Sequence, residues 1–292
     1  MMARMSAIKR RALLRAGLCT GITAAAGGYT LARSAASVAA PLAAGTPSAP
    51  QAPPAPAPTF AAGSFASADR GGAVTNWSIA RPPGQTTTLR PVILLHGKGS
   101  NAHAVMSMGA EQFLADAVRA GVPPFAIAAV DGGDSYWHRR ASGHDSGSMV
   151  LDEFIPLLAE QGLDTSRVAF LGWSMGGYGA MLLGSRLGAG RTAAICAVSP
   201  ALWTSPGAAA PGAFDGAQDY AANSVWGLAA LNGIPLRIDC GNDDPFYAAT
   251  KQFIAQLPNP PAGGFSPGGH NASYWSSQLT DELTWLAPLL TS

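Results

Sequence analysis

Val168-Ala169-Phe170-Leu171-Gly172-Trp173-Ser174-Met175-Gly176-Gly177-Tyr178-Gly179-Ala180 joins a short apolar run to a stretch of small residues. The apolar run reads as a buried strand, and Met181, Leu182 and Leu183 carry a helical pattern onward. Gly172-Trp173-Ser174-Met175-Gly176 lies at the junction. Its flanking glycines leave room for a tight backbone turn that exposes the serine hydroxyl. Ser174 is therefore a candidate nucleophile, and the strand-turn-helix unit makes this an α/β chain.

The five-residue pattern alone decides little, because composition supplies about 0.3 such matches by chance in a chain this rich in glycine and serine. A second match does exist, Gly264-Phe265-Ser266-Pro267-Gly268. A nucleophile of this kind needs the backbone N–H of the following residue to bind the oxyanion, and Pro267 has none. Ser266 also lacks a helical pattern directly after it, so Ser174 is preferred.

Outward from Ser174, short β-rich runs alternate with helical patterns from about residue 72, which predicts a mostly parallel sheet covered by helices on both faces. Strands are expected at Trp77 to Ala80, Pro91 to Leu95, Phe125 to Val130, Arg167 to Leu171, Ala193 to Val198 and Leu236 to Asp239. Helices are expected at Glu111 to Ala120, Met149 to Gln161, Gly176 to Leu187, Tyr247 to Leu257 and Tyr274 to Leu290. Ligands of such sheets sit beyond the carboxyl ends of the strands, and three clusters fall there.

His96-Gly97-Lys98-Gly99-Ser100-Asn101 follows the run Val92 to Leu95. Its glycines let backbone approach a substrate, so the Lys98 N–H is the candidate second oxyanion donor beside the Met175 N–H; an ordinary glycine turn is the alternative. His96 is read as orienting this loop and not as the base. The second cluster, Asp239-Cys240-Gly241-Asn242-Asp243-Asp244-Pro245-Phe246, offers a carboxylate to orient an imidazole. Asp244 is the preferred acid and Asp243 the alternative, while Asp239 lies within the strand. Either loop aspartate could instead cap the next helix. The third cluster, Gly268-Gly269-His270-Asn271, puts His270 on a loop before the last helix, completing the chain order Ser174, Asp244, His270.

Two segments invite a substrate reading. The loop Asp131 to Arg140 should flank the pocket, with Arg139 and Arg140 either binding an acidic group or standing as solvated charges. The long connection 201–231, with Trp203, Phe214, Tyr220 and Trp226, reads equally as a lid or as a self-packed loop. Trp137, Trp173, Trp203 and Trp275 are the candidate pocket-lining aromatics.

The N-terminus has another character. Basic residues Arg4 to Arg15 precede a weakly apolar stretch, Ala16 to Ala32, in the layout of a cleaved export signal, read as 1–40. Arg10-Arg11-Ala12-Leu13-Leu14 resembles a twin-arginine signal, with Lys9 where Ser or Thr is more usual. An uncleaved anchor is the alternative, but glycines and threonines interrupt the apolar run. Residues 41–62 read as an Ala/Pro-rich linker and 63–292 as the catalytic domain. Without residues 1–40 and their six basic side chains, 12 basic residues face 17 acidic ones, a net of −5. That disfavours a nucleic-acid partner. Cys196 and Cys240, on two expected core strands, read as buried thiols, with a disulfide as the alternative. No Cys/His spacing points to a metal, and no cofactor is expected.

Gly172 to Ala180, Cys240 to Phe246 and Gly268 to Trp275 together resemble an esterase family of α/β-hydrolases. The family includes esterase D-like enzymes, feruloyl-type esterases and the mycolyltransferases of actinobacterial cell envelopes. The resemblance covers about residues 72 to 292 and is closer to the esterases than to the mycolyltransferases. It implies an α/β-hydrolase fold and hydrolysis of a small-molecule or lipid carboxylic ester through an acyl-enzyme, with cell-envelope association among the options. An acyltransferase of mycolyltransferase type and a non-catalytic surface-binding protein are the rival functions.

Overall fold

The computed structural model describes residues 59–291 except Thr86. The expected export signal, and the linker as far as residue 58, lie outside the described residues. Eight strands form one sheet: β1 (Thr59–Ser67), β2 (Ala73–Arg81), β3 (Pro91–Leu95), β4 (Ala126–Val130), β5 (Val168–Trp173), β6 (Thr192–Val198), β7 (Leu236–Gly241) and β8 (Ala262–Ser266). Their order is β1-β2-β4-β3-β5-β6-β7-β8. The pairs β1·β2 and β2·β4 are antiparallel, and every pairing from β4 to β8 is parallel.

Among the described residues eight α-helices accompany the sheet: α1 (Ala102–Val105), α2 (Glu111–Arg119), α3 (Ser146–Ser148), α4 (Ile155–Glu160), α5 (Met175–Leu187), α6 (Ala217–Asn223), α7 (Tyr247–Ile254) and α8 (Ala272–Thr291). The helix expected at Met149 to Gln161 is a π-helical stretch, Met149–Phe154, running into α4. Among the described residues no helix is long and apolar enough to cross a membrane.

Alternation along the central strands explains the two-sided burial. Ile93, Leu95, Phe170 and Ile195 pack under α4, α5 and α7, while Val92, Leu94, Leu171 and Cys196 pack under α1, α2 and α8. The same alternation keeps the cysteines apart. Cys196 is paired in register with Arg237, so Cys240, three residues on, points to the opposite face. Both thiols are buried and free, and the disulfide alternative is not formed.

Three elements differ from the sequence reading. β1 begins at Thr59, so residues 59–62, read as linker, belong to the sheet. The early strand expected at Trp77 to Ala80 runs from Ala73 to Arg81, paired to β1 over nine positions. β8 was not expected at all. Its Ala262-Gly263-Gly264-Phe265-Ser266 carries too little apolar bulk to read as a strand, and pairing with β7 defines it.

The site is placed by the sheet order. β4 and β5 flank β3 on opposite sides, so the chain reverses its direction of winding between β3 and β5, and the crevice beyond their carboxyl ends is the topological switch point. The loop after β3 and the turn after β5 both open into it.

Candidate active site

Ser174 joins β5 to α5 with φ 56° and ψ −117°, in the left-handed region that non-glycine residues avoid. The turn is fixed by neighbours on both sides. Ser174 N–H donates to Val198 O (3.0 Å), and Ser174 O accepts from Tyr178 N–H (3.1 Å) and Ala201 N–H (3.0 Å). The flanking glycines are required by space: a Cβ on Gly172 would lie 2.3 Å from Gly176 O, and one on Gly176 would lie 1.9 Å from Leu95 O. The helix thus rests directly on the backbone of β5 and β3. Ser266, the rival match, ends β8, and its hydroxyl lies 3.1 Å from that of Tyr274.

Ser174, Asp244 and His270 come together although the last two lie 70 and more residues downstream. His270 Nδ1 is 2.9 Å from Asp244 Oδ2, and His270 Nε2 is 2.9 Å from Ser174 Oγ. An ionised carboxylate can only accept, so the proton sits on Nδ1 and Nε2 is left to accept from the serine hydroxyl. The Asp244 side chain is fully buried and that of His270 is about a quarter exposed. Burial alone would raise the Asp244 pKa. Hydrogen bonds from His270 and the Phe246 amide outweigh it and hold the carboxyl below its usual range.

Asp244 also fixes the turn that leads into α7: its Oδ1 accepts from Phe246 N–H at 2.8 Å and its backbone O from Tyr247 N–H, while the cap position of α7 itself is Phe246, which makes no side-chain capping bond. Asp243 is exposed and only its backbone is engaged, its N–H donating to Gly268 O (2.9 Å). Asp239 is turned away into an ion pair with Arg237 (2.6 Å). The β7 and β8 loops meet so closely that a Cβ on Gly241 would lie 2.2 Å from Gly268 O. That contact brings the acid loop beside the histidine loop, and β8, the strand missing from the sequence reading, makes it.

The loop after β3 reaches the same point. A Cβ on Gly97 would lie 3.6 Å from Ser174 Cβ, so the loop abuts Ser174. Met175 opens α5, and its N–H has no carbonyl within the helix to bond. His96 is fully buried, with Nδ1 donating to Gly97 O (2.8 Å) and Nε2 accepting from Gly132 N–H (2.9 Å). Burial pushes its pKa down and keeps it neutral, as befits a residue that orients the loop and takes no proton.

Two of the four candidate pocket aromatics are core residues. Trp137 is fully buried and fills the space over Gly132 and Gly179, where a Cβ would come within 2.4 and 2.3 Å of its ring. Trp173 is 1% exposed and stacks on Trp275 at 6.5 Å. Trp275 and Trp203 do flank the site: Trp275 meets the His270 ring edge-on at 5.1 Å, and Trp203 packs on Phe246, which itself lies 5.3 Å from His270. Phe246 is the aromatic that sequence reasoning missed, though its place just after the acid loop was a signal.

The long connection packs on itself and on the loop after β4. Trp203, Phe214 and Tyr220 form an aromatic cluster with Tyr136 and Tyr178. Arg140 is not a solvated surface charge. It grips Asp215 (2.6 Å) and the carbonyls of Gly212 and Ala213, fastening the connection down, while Arg139 is exposed.

No family model and no curated protein matches the sequence. Solved structures do match over most of it. A ferulic acid esterase superposes with TM-score 0.70 at 20% identity, covering 80% of this chain and 99% of that one. An S-formylglutathione hydrolase from Staphylococcus aureus gives 0.64 at 18%, covering 79% and 99%. A ferulic acid esterase from Anaeromyces mucronatus gives 0.63 at 18%, covering 81% and 93%. The chain has the α/β-hydrolase fold. Ser174, Asp244 and His270 follow β5, β7 and β8, each at a carboxyl end of the parallel sheet.

Proposed function

We propose that the protein is a serine carboxylesterase that hydrolyses small-molecule or lipid esters through an acyl-enzyme. The observation that carries the reading is the hydrogen-bonded relay from Asp244 through His270 to Ser174, with both bonds 2.9 Å long, on a serine held at positive φ. His270 Nε2 takes the Ser174 proton as Oγ attacks the ester carbonyl. The amides of Lys98 and Met175 receive the oxyanion. His270 then passes the proton to the leaving alcohol, and a water activated by the same Nε2 releases the acid. Asp244 holds the imidazole in the required tautomer and stabilises its charged form.

The esterase and hydrolase names of the structurally similar proteins agree with this chemistry. Export by the twin-arginine-like N-terminus belongs to the same proposal, and the site of action is then outside the cell or at its envelope. The test is fluorophosphonate labelling of the purified protein beside Ser174→Ala, with turnover of p-nitrophenyl esters of graded chain length. Labelling and turnover are expected to vanish together in the variant. A wild-type protein that takes no label and turns over no ester would sink the reading.

A further inference from the structure

The loop that carries the Lys98 amide is tied to the loop after β4 by three hydrogen bonds. Gly132 N–H donates to His96, Ala102 N–H to Asp131 Oδ1 (2.7 Å), and Gly99 N–H to Asp134 Oδ1 (2.6 Å). They hold different things. The first supports the histidine, the second sits at the start of α1, and the third grips the peptide immediately after Lys98.

The Lys98 N–H shares its planar peptide with Gly97 O, and the two point in opposite directions. Gly97 O accepts from His96 Nδ1–H (2.8 Å) and from Ser100 N–H (3.2 Å), so the aim of the Lys98 N–H depends on the turn from Gly97 to Ser100 staying closed. The Ser100 bond is a long one, and it closes the turn only if the intervening Lys98–Gly99 peptide keeps its plane. Gly99 has φ 75°, and beyond its chain neighbours no atom lies within 4 Å of where its Cβ would stand, so nothing braces the peptide on that side. The carboxylate of Asp134 is what holds this peptide.

We propose that Asp134 is a positioning residue for oxyanion stabilisation, fixing the Lys98–Gly99 peptide so that the Lys98 amide stays aimed at the reacting carbonyl. The inference rests on the esterase reading above and on Lys98 as one of the two donors. Asp134 bonds to the Gly99 amide and makes no hydrogen bond to Ser174, Asp244 or His270. Its effect therefore belongs to the tetrahedral state and not to ground-state binding.

The test compares wild type, Asp134→Ala and Asp134→Asn, using p-nitrophenyl acetate turnover and inhibition by an alkyl trifluoromethyl ketone, whose tetrahedral adduct places an oxyanion in the same position. Asp134→Ala is expected to lower kcat about tenfold, less than the 10²–10³ that follows removal of a donor itself. KM should stay within about twofold, and the ketone should bind about tenfold more weakly. Asparagine still offers Oδ1 to Gly99 N–H, so Asp134→Asn should restore both readouts to within about threefold of wild type. An alanine variant with undiminished kcat overturns the inference. So does an asparagine variant as poor as alanine, or a fall in kcat with no change in ketone affinity. A wild-type protein without Ser174 labelling removes the esterase reading and this inference together; labelled wild type with unaffected variants removes the inference alone.

Discussion

Replacing Gly176 with alanine should damage both stability and activity, and the structure sets the scale. The new Cβ would stand 1.9 Å from Leu95 O, 2.6 Å from Leu95 C and 2.9 Å from His96 O. An ordinary carbon–oxygen contact is about 3.2 Å, so helix and strand must part by about 1.3 Å, well inside the steep repulsive wall that close packing leaves no room to escape. Neither side yields easily, because one is the first turn of α5 and the other is the backbone of β3 entering the oxyanion loop. Overpacking of this kind costs typically 1–3 kcal/mol, and with backbone on both sides the upper end applies, about 3 kcal/mol. For a domain of this size that is a fall in Tm of about 6–12 °C. The same displacement separates Ser174 from the Lys98 amide by about 1 Å, which costs about 10²-fold in kcat. Thermal and urea unfolding with p-nitrophenyl acetate turnover measure both, and Gly190→Ala is the control, since nothing lies within 4 Å of its Cβ position and its φ is not positive. If Gly176→Ala unfolds within about 3 °C of wild type and keeps activity within threefold, the close seating of α5 on β3 is refuted.

Two further outcomes follow from the acid and from a buried histidine. Asp244→Asn should lower kcat by about 10⁴, because an amide facing Nδ1 favours the wrong imidazole tautomer, while Asp243→Asn, an exposed side chain away from His270, should stay within about twofold. Equal losses in the two variants would contradict the assignment. His138 is fully buried and burial pushes its pKa down to about 4, against about 6.5 in an unfolded chain. Above pH 6.5 it is neutral in both states and adds no pH dependence to stability. As pH falls from 6.5 toward 4 the unfolded chain takes the proton first, so stability is lost across that window, with the Asp219 carboxylate 3.6 Å from His138 Nε2 opposing the loss. His138→Phe, which keeps an aromatic ring against Phe214 and Tyr178, should shallow the decline of Tm between pH 6.5 and 4. Parallel Tm curves for variant and wild type would exclude His138 as a source.

The aromatic neighbourhood shows why some residues could be assigned from sequence and others could not. Trp137 and Trp203 both look like pocket residues in one dimension, each on a loop at the carboxyl end of a strand. The difference between them is made by Gly132 and Gly179, which open a slot that the Trp137 ring fills, and by Phe246, which draws Trp203 toward His270. Arg140 is similar: its partner Asp215 is 75 residues away, and no local pattern pairs them.

By itself the sequence determined the strand-turn-helix at Ser174, the rejection of Ser266 by Pro267, and a chain order of serine, loop aspartate and His270, because backbone permissiveness and hydrogen-bonding capacity are properties of a few adjacent residues. It also determined most of the central strands, since apolar runs of four to six residues bounded by glycine and polar turns have few other uses. Tertiary structure alone put Asp244 and not Asp243 against His270, placed β1 and β8 at the sheet edges, separated the two cysteines onto opposite faces, and put Asp134 against Gly99. Each of those outcomes depends on which segments lie side by side across tens of residues of chain, and parallel pairing, unlike a turn or a helix, is set by partners and not by local propensity.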